Sequence, residues 1–295
     1  MEDKYEKRLN RIRRKNQKRS LRKKTGRLIR NVSLVMVGIF AGFLVFFLFR
    51  ETALEKKSRD QIKKLQETVA SPMGSVEENK EALSTMAGEE EIPEVRTGEN
   101  SSRLSHYQML YQENNDFCGW LRIPDTRIDY PVMYREGDND YYLSHDFYGQ
   151  EDKNGLLVLD KRCDPTGPMD HLLIHGHNMK SGLMFGELKE YKEEAYYKKH
   201  PLIWYDTLYH EYTYTVAAVF LSTVRAEDTG HFDFYDYIRI GSEEEFNAYV
   251  EGAKAAALYE TGKTPVYGDC LLTLSTCDYT NEDGRLVLLA YRKQE

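Results

Sequence analysis

The sequence predicts a mainly β domain, a barrel or sandwich of about eight strands with peripheral helices, behind a single N-terminal transmembrane helix. Three observations predict it. From about residue 104 onward, short segments rich in Tyr, Leu and Val recur between Gly, Pro, Asn and Asp. Residues 31–49 carry no charge at all. A hydrophobic content of 41% in 295 residues is enough for one sizeable buried core plus appendages.

The N-terminal part is justified by charge and length. Residues 1–30 hold 14 Lys and Arg against 3 acids, a net +11, so the remainder nets −18 against the overall −7. Such asymmetry implies two environments. Between them lies NVSLVMVGIFAGFLVFFLF, 19 residues from Asn31 to Phe49, bracketed by Arg30 and Arg50. At about 1.5 Å per helical residue it spans roughly 28 Å, the hydrocarbon thickness of a bilayer. A buried core helix would show a polar stripe. A cleaved signal peptide would have a shorter apolar region and a small-residue cleavage site, which the following RETALEKK does not offer. The expectation is an uncleaved, single-pass anchor: residues 1–30 a basic cytoplasmic tail, 31–49 the span, and everything beyond Arg50 extracytoplasmic. Residues 50–103, rich in Glu, Lys, Ser and Thr and punctuated by Pro72, Gly74, Gly88, Pro93 and Gly98, have the composition of a tether. Within its first part, Leu54, Ile62, Leu65 and Val69 have the spacing of a short surface or coiled helix.

Residues 104–295 form the expected folded domain. SRLSHYQMLYQENNDFCGWLRI predicts a helix running into a strand. RIDYPVMY, YYLSHDF, GLLVLD, HLLIHGHN, LIWYDTLYHEYTYTVAAVFLST, DCLLTLSTC and GRLVLLAYR are each strand-like in content and bounded by turn residues. One helix interrupts them. Ser242 and Glu245 make a capping-box pattern, followed at helical spacing by Phe246, Tyr249, Val250, Ala253 and Ala257, to about Glu260. No Gly-rich loop opens a helix where a phosphate would sit.

The chemistry centres on cysteine. Cys118, Cys163, Cys270 and Cys277 all lie beyond the span, where disulfides are chemically permitted. Cys270 and Cys277 cannot pair with each other on one strand, being some 23 Å apart at about 3.3 Å per residue. Zinc is disfavoured: there is no C-x-x-C pair, and only His175, His177 and Cys277 would converge. A nucleophilic thiol needs an acid/base within reach and a donor for the developing oxyanion. Cys277 closes an apolar strand at a rim, and DYTNEDG turns the chain so that Arg285 returns beside it. Arginine cannot serve as a base, so its task would be to stabilise negative charge. Histidine must carry the proton.

The TLSTC motif, an Arg opening the next strand, and a Gly-His closing an earlier one resemble the sortases, membrane-anchored cysteine transpeptidases of Gram-positive bacteria. The resemblance covers about residues 104–295. The helix from Ser242 and the TLSTCD wording are most similar to class B. This resemblance implies a closed eight-stranded sortase-type β-barrel and a Cys277, His177 and Arg285 active site, with no cofactor or metal and no nucleic-acid partner. It also implies a two-step acyl transfer. The thiolate attacks the Thr carbonyl in a C-terminal sorting signal of a surface protein, near Asn-Pro-x-Thr or of a Pro-x-Thr-Gly type. A cell-wall peptide amine then resolves the thioester. Membrane lipid would be contacted through the N-terminal helix. His171, His175 and His177 share one face if HLLIHGHN is a regular strand, so alternation does not choose among them. The family pattern places the catalytic residue straight after Gly, at His177, leaving His175 as a hydrogen-bonded supporting residue. His106, His145, His200, His210 and His231 are expected to be ordinary barrel or surface residues. Ser275 and Thr276 are candidate substrate contacts, and Asp278 could cap the turn. The other three cysteines are expected to be buried and reduced. Three alternatives remain: a cysteine protease that lets water resolve the acyl-enzyme, a non-catalytic surface receptor with no need for a reactive thiol, and a pilin-polymerising sortase. No Asp-Pro-aromatic lid motif occurs between Arg50 and Cys118, which disfavours the last.

Overall fold

The computed structural model describes residues 2–70, 104–166, 170–224, 230, 232–280 and 283–294. The chain divides into two compact units, Met1–Lys57 and Ser58–Glu295. A helix, α1, covers Glu2–Ala70. In the first unit its apolar side chains, among them Phe40, Phe43, Phe46 and Phe49, are exposed to the surroundings rather than packed in a core. Among the described residues one helix is long and apolar enough to cross a membrane, within Met36–Ala70.

In the second unit the eight strands are β1 (Phe117–Arg122), β2 (Asp129–Met133), β3 (Leu157–Leu159), β4 (His171–His175), β5 (Leu202–Thr207), β6 (Glu211–Thr223), β7 (Cys270–Cys277) and β8 (Gly284–Arg292). They close a barrel in the order β1-β2-β3-β4-β7-β8-β6-β5, which removes free sheet edges. β2 with β3, and β4 with β7, run parallel; the other neighbours are antiparallel. The short helices are α2 (Ser105–Glu113), α3 (Glu194–Lys199) and α4 (Glu243–Ala255). The expected amphipathic spacing is realised in the last turns of α1. Ile62 and Leu65 are buried, Val69 packs against the core, and Gln66 donates to the Asp129 carbonyl.

Local expectations need three corrections. YYLSHDF is not a strand: Tyr141–Leu143 is a 3-10 helix, opened by the Asp138 carboxylate accepting the amides of Asp140 and Tyr141. LIWYDTLYHEYTYTVAAVFLST is two strands, because Thr207 bonds back onto His210 and closes a hairpin. HLLIHGHN stops pairing as a strand at His175, so its alternation does not reach His177. The capping box at α4 is present in altered form. Ser242 accepts the amide of Glu245, while the Glu245 carboxylate takes the amide of Gly241 rather than that of Ser242, and the helix ends at Ala255 instead of near Glu260.

Candidate active site

β7 is CLLTLSTC, buried along its length until Cys277, whose thiol is half-buried at the strand end. Its two neighbours in the barrel supply the two expected partners. On the β8 side, Cys277 is register-paired with Arg285, the adjacency anticipated from the turn. That turn is held by Asp278, whose amide donates to Gly284 O at 2.8 Å and whose carboxylate accepts from Thr280 and pairs with Lys192. Burial would raise the Asp278 pKa, but the Lys192 and Thr280 donors outweigh it and hold it below the usual range. Arg285 Nη1 donates to Gly284 O at 3.0 Å and Asp283 O at 3.4 Å.

On the β4 side, each residue from His171 to His175 pairs with the β7 residue from Leu271 to Ser275. The chain beyond β4 stays alongside β7. Gly176 N donates to Ser275 O at 3.2 Å, Thr276 Oγ1 to Gly176 O at 2.7 Å, and Asn178 Nδ2 to Cys277 O at 2.8 Å. His177 lies between these anchors, in the segment that runs along the end of β7. A Cβ on Gly176 would lie 2.5 Å from Leu157 and 2.7 Å from Phe185, so any larger residue would force these side chains or the turn to shift. The Nε2 of His177 faces Leu143 O at 2.8 Å. A carbonyl only accepts, so Nε2 carries the proton, and in the neutral ring Nδ1 carries the lone pair.

His171 and His175 are engaged elsewhere. His171 bonds Tyr237 O and Thr273 Oγ1, each at 2.8 Å, and burial lowers its pKa to about 4. His175 Nε2 bonds Asp160 at 2.8 Å. His145 stacks on Tyr141, and His200 bonds Pro124 O. His231 lies outside the described residues.

Thr276 is buried and its hydroxyl donates to Gly176 O, fastening the end of β7 to the segment that follows β4. Ser275 is also buried, but among the described residues its Oγ has no hydrogen-bond partner. Asn178 was missed from sequence. It holds the Cys277 carbonyl and accepts from Tyr279 at 3.3 Å, and its only sequence signal is its place directly after Gly-His. All four cysteines are free thiols. Burial raises the pKa of Cys118 and Cys270 and pushes that of Cys163 up to about 11, keeping each protonated and inert. Among the described residues no group of His, Cys, Asp and Glu is placed to hold a metal ion.

A closed barrel presenting a rim thiol between a histidine and an arginine defines a cysteine acyl-transfer enzyme. The Sortase domain matches residues 121–293, more than half of the chain, and the chain belongs to the sortase family. Its relatives put it in class B. The chain is 35% identical over 196 residues to sortase B of Listeria monocytogenes, covering 65% of this chain and 74% of that one. The corresponding figures for sortase B of Staphylococcus aureus are 24% over 186 residues, 62% and 73%. Among solved structures, sortase B of Bacillus anthracis in complex with AAEK1 superposes with a TM-score of 0.65 at 28% identity, covering 83% of this chain and all of that one. The chain is thus a cysteine transpeptidase acting on peptide substrates.

Proposed function

We propose that the enzyme is an anchored sorting transpeptidase in which Cys277 is the acylated nucleophile, His177 the proton carrier and Arg285 the oxyanion or substrate clamp. The observation that most supports this reading is the barrel order β4-β7-β8, with Arg285 register-paired with Cys277 on one side and the segment that carries His177 hydrogen-bonded to the end of β7 on the other. The Cys277 thiolate attacks the Thr carbonyl of a C-terminal sorting signal, and protonated His177 gives its proton to the departing amine. This leaves a thioester on Cys277. A cell-wall peptide amine then attacks, loses a proton to His177 and releases the joined product. Arg285, presenting a planar fork of donors, stabilises the oxyanion in both steps. Ser275, with its unpartnered hydroxyl on the Cys277 face of β7, is the candidate to bond the substrate backbone. The N-terminal helix anchors the enzyme in the membrane of a Gram-positive cell, with residues 1–30 inside and the barrel outside, the basic flank opposing translocation.

Mass spectrometry of enzyme trapped with a sorting-signal peptide tests the reading. The added acyl mass is expected on the peptide containing Cys277, and Cys277→Ala should abolish transfer to an added amine, whereas Cys118→Ala, Cys163→Ala and Cys270→Ala retain it. Acyl mass on another residue would overturn the assignment. Release of hydrolysed product only, at saturating amine, would favour the protease alternative.

A further inference from the structure

Asp160 carries a buried charge next to the site, and the acyl-transfer scheme gives it no task. Only 1% exposed, it follows β3 directly. Its Oδ1 accepts from Arg162 N at 3.0 Å and Arg162 Nε at 2.8 Å. Its Oδ2 accepts from Arg162 Nη2 at 3.0 Å, His175 Nε2 at 2.8 Å and Asn139 Nδ2 at 3.1 Å. Burial would push the Asp160 pKa up, but the His175 and Arg162 donors outweigh it and keep the group ionised.

Arg162 alone would compensate the charge. The other two donors come from the two segments that mount His177. Asn139, also gripped through Oδ1 by the amide of Lys161 at 2.6 Å, begins the stretch that ends at Leu143. The Leu143 carbonyl takes the Nε2 proton of His177. His175 ends β4, two residues before His177, and Tyr235 stacks over its ring with centroids 6.0 Å apart. One carboxylate oxygen thus ties the strand that delivers His177 to the loop that orients it.

We infer that Asp160 is a positioning residue for His177: through Asn139 and His175 it fixes Leu143 O relative to the end of β4, holding Nε2 as donor and leaving Nδ1 for proton exchange. The inference rests on His177 being the proton carrier. Nothing in it requires Asp160 to touch substrate.

The test uses the full chain in detergent micelles, with a fluorogenic Asn-Pro-x-Thr or Pro-x-Thr-Gly peptide and triglycine as acceptor. Asn139→Leu and His175→Leu each cut one arm while leaving the Arg162 pair intact. Each should lower kcat about 10- to 100-fold, with KM and melting temperature nearly unchanged. His175→Gln, whose amide nitrogen can stand where Nε2 does, should recover most of the loss. In long-range proton–nitrogen spectra recorded where the His177 ring is neutral, its proton should sit on Nε2 alone in the native enzyme and be shared between both nitrogens in Asp160→Asn. If Asp160→Asn does not fold, the Asn139 and His175 variants decide alone. Unchanged kcat in both Leu variants, with His177→Ala inactive, overturns the positioning role and leaves the proposed mechanism standing. Full turnover by His177→Ala removes that mechanism and the positioning role with it.

Discussion

Burial separates Cys277 from the other three cysteines, because a thiol sealed in apolar surroundings resists ionisation and cannot meet a substrate. The role proposed for Arg285 draws on shape as well as charge. Its guanidinium can offer two parallel donors to an oxyanion or carbonyl while staying bonded to its own turn. Arg285→Lys keeps the charge and loses the fork, so kcat/KM for peptide cleavage should fall about 10² to 10³-fold with the melting temperature little changed. Activity within a few fold of native would reduce Arg285 to a point charge.

A second residue sets the acid stability. His171 is neutral when folded, with a pKa of about 4, against about 6.5 in the unfolded chain. The unfolded state therefore binds more protons between these values, and stability present above about pH 6.5 is lost as pH falls toward 4, by about 3 kcal/mol. Urea unfolding of the native enzyme across that window should show the decline, and His171→Asn should flatten it. An equally steep decline in the variant would assign the acid sensitivity to other groups.

At the scale of elements, the parallel pairing of β4 with β7 does most to build the site. A shift of one residue in that register would carry His177 past Cys277 and turn alternate side chains to the wrong face. Thr276, Asn178 and the Gly176 amide pin the register just where the strand hydrogen bonds run out. Gly176 permits this because a Cβ there would come within 3 Å of the Leu157 and Phe185 side chains. Gly176→Ala forces those side chains or the turn to move. It should cost about 1–3 kcal/mol in unfolding free energy, and activity should drop by more than the folded fraction explains, since the displaced residue precedes His177. Activity that simply tracks the folded fraction would argue that the His177 turn absorbs the methyl group.

For the whole molecule, the apolar helix and the barrel have to be served by different solvents. The phenylalanines along Met36–Phe49 are exposed, as the proposed contact with lipid requires, whereas the barrel unit closes its own core, to which Ile62 and Leu65 contribute. Protease added to intact, wall-stripped cells should digest the barrel and spare a tag placed before residue 30. Full protection of the barrel would reverse the orientation.

The sequence by itself determined the parts whose cause is local. An uncharged run of bilayer length marks the span, a Ser three residues before Glu marks the start of α4, and a polar turn between two apolar runs brings Arg285 to Cys277. The motif around Cys277 and the Gly before His177 made the family, and with it the proposed catalytic residues, legible as a resemblance. Only the tertiary structure decided what depends on residues far apart in the chain. Periodicity could not tell His171, His175 and His177 apart, whereas the structure gives each ring its own partners: Tyr237 O and Thr273 for His171, Asp160 for His175 and the Leu143 carbonyl for His177. Thr276 is next to Cys277 in sequence, but the partner of its hydroxyl, Gly176, is one hundred residues away and could not be read from the motif. YYLSHDF had strand composition, but the local bonds of Asp138 to the following amides wound it into a 3-10 helix whose last carbonyl orients His177. Strand propensity speaks for single segments, whereas closing a barrel fixes which segments become neighbours, and that neighbourhood makes the site.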